Sequence, residues 1–186
     1  MQSLTRILKL DDTIHRELEQ TGLLFKVAFI NILLLGLATG SANAINAFAL
    51  LRQEQASGFE NPNLGAIIIV LLIFASTAQI FLAHAGFSLL LWAMSKGLKG
   101  VSSFFTVYMH TGAALAPFWL GIPMLLFYFN EVGGILTFIL GAIGVTWGTI
   151  ALIRSVVASQ NLTFARAAFS LALTVVFIIS FRILTT

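Results

Sequence analysis

Five long apolar stretches dominate the sequence and constrain its fold more than any other feature. They cover approximately residues 23–51, 64–94, 104–129, 132–158 and 162–184. A helix needs roughly 20 residues to cross about 30 Å of hydrocarbon, and each stretch exceeds that length. None of them alternates between polar and apolar residues, as the strands of a membrane barrel do. The sequence therefore predicts an all-α protein, a polytopic integral membrane bundle of five transmembrane helices.

The composition supports a lipid environment and argues against several kinds of function. Only 9% of the residues are charged and the mean hydropathy is +0.99, whereas soluble domains carry about 25% charged residues. The chain has no cysteine and none of the HExxH, GxSxG or SxxK motifs of hydrolytic enzymes. No Asp or Glu lies inside the five stretches, although proton-coupled transporters usually keep a carboxylate there. We expect a protein that is not an enzyme, with no cofactor, no metal and no nucleic-acid partner.

Lysine and arginine are divided unequally between the two sides of the predicted membrane. Eight lie on the side of the N-terminus and two, Arg52 and Arg182, on the other. The eight are Arg6, Lys9, Arg16, Lys26, Lys96, Lys99, Arg154 and Arg166. Because basic residues accumulate in cytoplasmic segments, the sequence predicts a cytoplasmic N-terminus and a C-terminus outside.

Residues 1–22 precede the first stretch and predict a short amphipathic helix on the cytoplasmic leaflet. Its apolar stripe consists of Leu4, Ile7, Leu8, Ile14 and Leu18, which gives the segment a surface to bury. With the basic loop after the second stretch, this segment predicts a cytoplasmic docking face for lipid or for a partner protein. That face comprises Arg6, Lys9, Arg16, Lys96 and Lys99. We expect the acids of the segment, among them Glu17 and Glu19, to face water or to pair with Lys96 and Lys99.

Two histidines lie inside the second and third stretches. At 1.5 Å per residue, both sit roughly 10 Å below the same membrane surface, and the two helices are antiparallel neighbours. The sequence therefore predicts an interhelical polar cluster of Thr77, His84, Ser88, Thr106 and His110. We interpret it as a hydrogen-bonded structural cluster, because two histidines without a carboxylate or thiolate make a poor metal site. A proton or metal site is the alternative.

Small residues and prolines indicate how the helices pack. Glycines recur at spacings of three or four residues in the first and fourth stretches, at Gly36, Gly40, Gly141, Gly144 and Gly148. This spacing lets helix backbones approach closely, either inside the bundle, which we favour, or in a homodimer. Pro117 and Pro123 predict a kink or a break in the third stretch.

The segment Leu89–Gly100, the pair Ser103-Phe104 and the small-residue patch Gly112–Pro117 resemble the Yip-domain family, the Ypt/Rab-interacting membrane proteins and their bacterial relatives. In that family a short basic, glycine-containing loop joins the second helix to a third that opens with Ser-Phe and reaches a proline. The resemblance implies five spans and a cytoplasmic N-terminus. The chain lacks the long N-terminal region and the Asp-Leu-Tyr-Gly-Pro segment of the eukaryotic members, so Rab binding is not carried over. It is similar to a short prokaryotic member, which implies a prokaryotic inner (plasma) membrane.

These features together favour a non-enzymatic accessory or scaffold subunit. Its expected partners are membrane lipid and another membrane protein or complex. The alternative is a small transporter or channel component with a path near the third helix and His84/His110. Transporters usually show intramembrane acids or two repeated halves, and the sequence has neither.

Overall fold

The computed structural model of the protein describes residues 14–55 and 62–185. Within these ranges there are seven helices and no strand. The helices are α1 (Ile14–Gln20), α2 (Leu24–Gln55), α3 (Pro62–Gly97), α4 (Phe104–Ala113), α5 (Phe118–Phe129), α6 (Ile135–Gln160) and α7 (Phe164–Leu184). Four of them (α2, α3, α6 and α7) are long and apolar enough to cross a membrane, and α4 with α5 forms a further candidate bent by 72°. The prediction of an all-α membrane bundle is confirmed, and the chain is an integral membrane protein.

The bent pair α4–α5 runs along the length of α6. The last residue of α6, Gln160, accepts a hydrogen bond from the Ser102 amide at 3.1 Å, which places the end of α6 beside the start of α4. From there α5 packs antiparallel on α6, because Gly121 faces Gly144 and Leu125 faces Gly141. The 26 residues of α6 extend over about 39 Å. Residues 104–129 therefore extend from one end of α6 to the other.

The helix of the third stretch is interrupted at Pro117, where the sequence predicts a kink or break. Proline has no N–H, so the carbonyl of Ala113, four residues earlier, loses its helical donor. Asn31 of α2 replaces that donor: its Nδ2 atom donates to the Ala113 carbonyl at 2.6 Å. The indole of Trp119 in turn donates to the backbone carbonyl of Asn31 at 3.1 Å. The break is therefore held by a neighbouring helix, as a lipid environment requires.

The predicted packing glycines all lie at contacts inside the bundle. A Cβ atom on Gly36 would lie 2.9 Å from the Thr77 Cα, and one on Gly40 would lie 2.9 Å from the Ile73 Cα, so both glycines pack against α3. Gly141, Gly144 and Gly148 pack against Leu125, Gly121 and Phe118 of α5. These backbone approaches fix the α2–α3 and α5–α6 pairs.

The helix bounds differ from the predicted stretches mainly at two places. The third stretch is two helices, because residues 114–117 form the turn at the break. Helix α6, which corresponds to the fourth predicted stretch, begins at Ile135 and not near residue 132. Asn130–Gly134 form the connection before it, and Glu131 adopts a left-handed φ of 60°.

Candidate functional site

A cleft lies between α3 and α7, which are joined near one end by hydrogen bonds between their side chains and backbone. The Ser95 and Ser170 hydroxyl oxygens lie 2.8 Å apart, and Ser170 also donates to the Leu91 carbonyl at 3.4 Å. Beyond Thr174, the described side chains of α7 up to residue 185 are all exposed. We call the space between the two helices the α3–α7 cleft.

The α3–α7 cleft consists of two adjoining apolar cavities. The outer cavity, of about 540 Å³, is lined mainly by α6 and α7. The inner cavity, of about 210 Å³, reaches α2 and the broken span. Phe87, Phe118 and Leu152 line both cavities, so the two lie side by side. Phe118 and Leu152 are 9% and 6% exposed and make its floor.

His84 is the one polar side chain among the described residues that line the inner cavity. Its Nε2 atom lies 3.1 Å from the backbone carbonyl of Tyr108, and the two rings pack with their centres 4.7 Å apart. Gly112 makes this approach possible, because a Cβ there would lie 3.3 Å from the Nε2 atom. The carbonyl can only accept, so Nε2 carries a proton and donates.

Ser88, one turn after His84, extends the polar contacts toward α4. Its hydroxyl oxygen lies 3.0 Å from that of Thr111 and 3.4 Å from His84 Nε2. Thr111 donates to the Val107 carbonyl at 2.8 Å. His84, Ser88 and Thr111 therefore form a buried network between α3 and α4, and each of its protons has a protein acceptor.

The predicted five-residue cluster is only partly assembled. His84 and Ser88 lie together, but Thr77 lies at the α2–α3 contact, where it donates to the Ile73 carbonyl at 2.7 Å. Thr106 belongs to the N-terminal cap of α4, where the Ser103 oxygen accepts from the Thr106 amide at 3.3 Å. The expectation that His84 and His110 meet is wrong, because His110 points to a different helix.

His110 faces the N-terminal helix α1. Its Nε2 atom lies 3.4 Å from a carboxylate oxygen of Glu19, and the imidazole is fully buried while Glu19 is 55% exposed. The expectation that Glu19 faces water is confirmed by its exposed side chain, and its contact with His110 is one that the sequence did not predict. The tight turn at Gly22, with a φ of 70°, folds α1 back onto the bundle.

Leu18 anchors α1 in a small apolar cluster. It is 2% exposed and packs with Leu24, Ala28, Met109 and Ala113. The other predicted members of the apolar stripe, Leu4, Ile7 and Leu8, lie outside the described residues, as do Arg6 and Lys9 and the side chains of Ile14 and Arg16. Of the predicted docking face, Lys96 and Lys99 are described and exposed.

Replacing Leu18 with alanine should release α1 from the bundle. The change removes methyl groups from Leu18, a buried side chain of the seven-residue helix α1, and truncations of this kind cost about 2–5 kcal/mol in a packed core. A spin label on a cysteine at the exposed Gln20 should become more mobile, while the main unfolding transition changes little. Leu23→Ala is the control, since Leu23 is 47% exposed. Equal label mobility in wild type and Leu18→Ala would show that Leu18 does not hold α1.

The loop that joins α3 to α4 is hydrogen-bonded to the end of α6. Ser102 donates from its hydroxyl to the Ser159 carbonyl, and Val101 donates from its amide to the Gln160 carbonyl at 3.3 Å. Lys96 donates to the Val101 carbonyl at 3.0 Å, and Lys99 adopts a left-handed φ of 73°. The exposed lysines of the predicted docking face are thus held on an ordered loop.

No protein-family model matches this sequence, and comparison with curated proteins and with solved structures gives no significant match.

Proposed function

We propose that the protein is a non-enzymatic membrane protein that binds lipid in the α3–α7 cleft and acts as an accessory or scaffold component of the membrane. The observation that carries this proposal is the apolar lining of a cleft that opens at the lipid-facing surface. Among its described lining residues, the polar ones are His84 and Thr149. Thr149 donates to the Val145 carbonyl at 2.8 Å. Such a space favours hydrocarbon chains over polar substrates.

The same proposal includes a relationship to the short prokaryotic members of the Yip-domain family. It is supported by the ordered basic loop between α3 and α4 and by the broken third span at Pro117, which fall on the motifs of that resemblance. The proposed location is a prokaryotic inner membrane with a cytoplasmic N-terminus. Its support is the eight-to-two division of basic residues in the sequence.

The topology can be tested with single cysteines, because the chain contains none of its own. Gly97→Cys and Val132→Cys place thiols at exposed positions on either side of the broken span. In intact cells an impermeant maleimide should label position 132 at once and position 97 only after permeabilisation. Labelling of both from the outside would mean that residues 104–129 do not cross the membrane.

A transporter or channel component is the second candidate, and the observation that favours it is the broken span. Transporters use unwound helix carbonyls to coordinate ions. Here three carbonyls at the break accept protein donors: Ala113 accepts from Asn31, Leu115 from the Phe118 amide at 2.9 Å, and Ala116 from the Trp119 amide at 3.2 Å. These protein donors favour the lipid-binding proposal over an ion site.

Lipid retained through purification tests the proposal. Ala172 lies on the α7 wall of the outer cavity, so Ala172→Trp should fill the cavity and reduce the lipid that remains bound after mild-detergent washing, by at least roughly half. Ala75→Trp is the matched control on an exposed part of α3 away from the cavity lining. Mass spectrometry of the intact protein would count the bound lipids. Equal lipid content in the two variants and the wild type would contradict a lipid site in the cleft.

A further inference from the structure

We propose that the inner end of the α3–α7 cleft recognises the hydroxyl group of a neutral lipid alcohol, with His84 Nδ1 as the hydrogen-bond acceptor and the lipid chain in the cleft. This inference rests on the proposed function and specifies the class of lipid bound.

The tautomer of His84 determines what it can recognise. Its Nε2 atom donates to the Tyr108 carbonyl at 3.1 Å. A neutral imidazole that carries its proton on Nε2 has a lone pair on Nδ1, which accepts a hydrogen bond. Among the described residues, no group bonds Nδ1, and the His84 side chain lines the inner cavity. The cavity therefore offers one acceptor to a ligand.

The rest of the lining selects an uncharged ligand. Apart from His84, the described lining residues of the inner cavity are leucine, isoleucine, alanine and phenylalanine. A phosphate or carboxylate group in this setting would lack a cationic partner, and burying a charge without one is strongly unfavourable. An ester, ether or ketone oxygen has no proton to give to Nδ1, whereas an alcohol has one.

The depth of His84 fits a lipid whose polar group is small. His84 lies roughly 10 Å below the nearer membrane surface predicted from the sequence, and α3 continues for thirteen residues beyond it to Gly97. A bulky phospholipid headgroup stays near the membrane surface, but a single hydroxyl on a long chain can lie at this depth. The chain then extends from the inner cavity past Phe87 and Phe118 into the larger outer cavity.

Two probes with the same chain distinguish recognition of the hydroxyl group from binding of the hydrocarbon chain. The purified full chain in micelles is titrated with oleyl alcohol and with oleyl methyl ether, which has the same chain and no donor. Wild type should bind the alcohol about fivefold to tenfold more tightly, as one net hydrogen bond allows. His84→Gln should keep most of this preference, because the amide nitrogen can donate to Tyr108 while its oxygen accepts from the ligand. His84→Leu should bind the two probes equally.

A second pair of variants keeps the test independent of the His84 network. Ala83 lines the inner cavity and Leu82, its neighbour, is 75% exposed. Ala83→Trp should abolish binding of both probes, and Leu82→Trp should leave the preference intact. Suppose that wild type binds the alcohol and the ether with equal affinity and that Ala83→Trp still abolishes binding of both. This result would overturn the recognition of the hydroxyl group, while lipid binding in the cleft would still be supported. Absence of binding by either probe to wild type would overturn both the inference and the proposed function.

Discussion

Gly144→Leu is expected to destabilise the protein by about 3 kcal/mol, the upper part of the range for overpacking a tight contact. A Cβ atom at position 144 would lie 2.6 Å from the Cα and 2.8 Å from the amide nitrogen of Gly121. Both are backbone atoms, so the contact cannot relax by a side-chain rotation, and α5 and α6 must separate. The midpoint of unfolding in mixed detergent–SDS micelles measures the loss.

Gly86→Leu is the matched control for this change. Gly86 is an exposed glycine of α3, and a Cβ atom there would meet no neighbouring atom within 4 Å. The same substitution should therefore leave the midpoint within ~0.5 kcal/mol of wild type, as surface changes usually do. Similar midpoints for Gly144→Leu and Gly86→Leu would show that the α5–α6 contact is not close packed.

Asn31→Leu is expected to cost about 2 kcal/mol, because it leaves the buried Ala113 carbonyl without a donor. Asn31 is fully buried and its Nδ2 atom lies 2.6 Å from that carbonyl, while leucine preserves most of the side-chain volume. Amide hydrogen exchange in residues 110–119 should accelerate in parallel with the loss of stability, since the turn at the break loses its support from α2.

Asn43→Leu provides the comparison on the same helix. Asn43 is half-buried and donates to the Ser76 hydroxyl at 3.2 Å, a side-chain bond of the kind that averages about 0.6 kcal/mol in membrane bundles. If Asn31→Leu proves no more destabilising than Asn43→Leu, the break at Pro117 is held by something other than the Asn31 amide.

The architecture follows from the sequence because it depends on length and hydropathy alone. Five stretches longer than a bilayer crossing are enough to predict the helices, and a proline in the third is enough to predict its break. The partner of the break is not predictable in this way. Asn31 and Ala113 are 82 residues apart, and only the packing of α2 on α4 brings them together.

For the polar cluster, depth along the helix axis was not enough to predict which side chains meet. His84 and His110 were expected at the same level, but a helix also has a direction around its axis. Tyr108 and His110 are two residues apart, so their side chains are rotated by about 200°. Tyr108 consequently faces His84, and His110 faces Glu19. Thr111, three residues after Tyr108, returns to the side of α3 and meets Ser88.

The α3–α7 cleft left no recognisable pattern in the sequence. A helix that is hydrophobic all around gives no sign of which face is packed and which meets lipid. In α3 the exposed Leu82 and Phe74 are as apolar as the buried Leu91. Only the contact of Ser95 with Ser170 and the floor made by Phe118 and Leu152 define the space.

Labelling with a photoactivatable lipid tests most directly whether lipid occupies the cleft. The probe carries a diazirine in its acyl chain, and the labelled residues are mapped by mass spectrometry of peptides from the protein in bilayers. We predict labelling of the cleft floor at Phe118 and Leu152, which are only 9% and 6% exposed, and its loss in Ala172→Trp. Labelling confined to outward-facing side chains such as Phe74 and Leu82, with the floor unlabelled, would contradict lipid binding in the α3–α7 cleft.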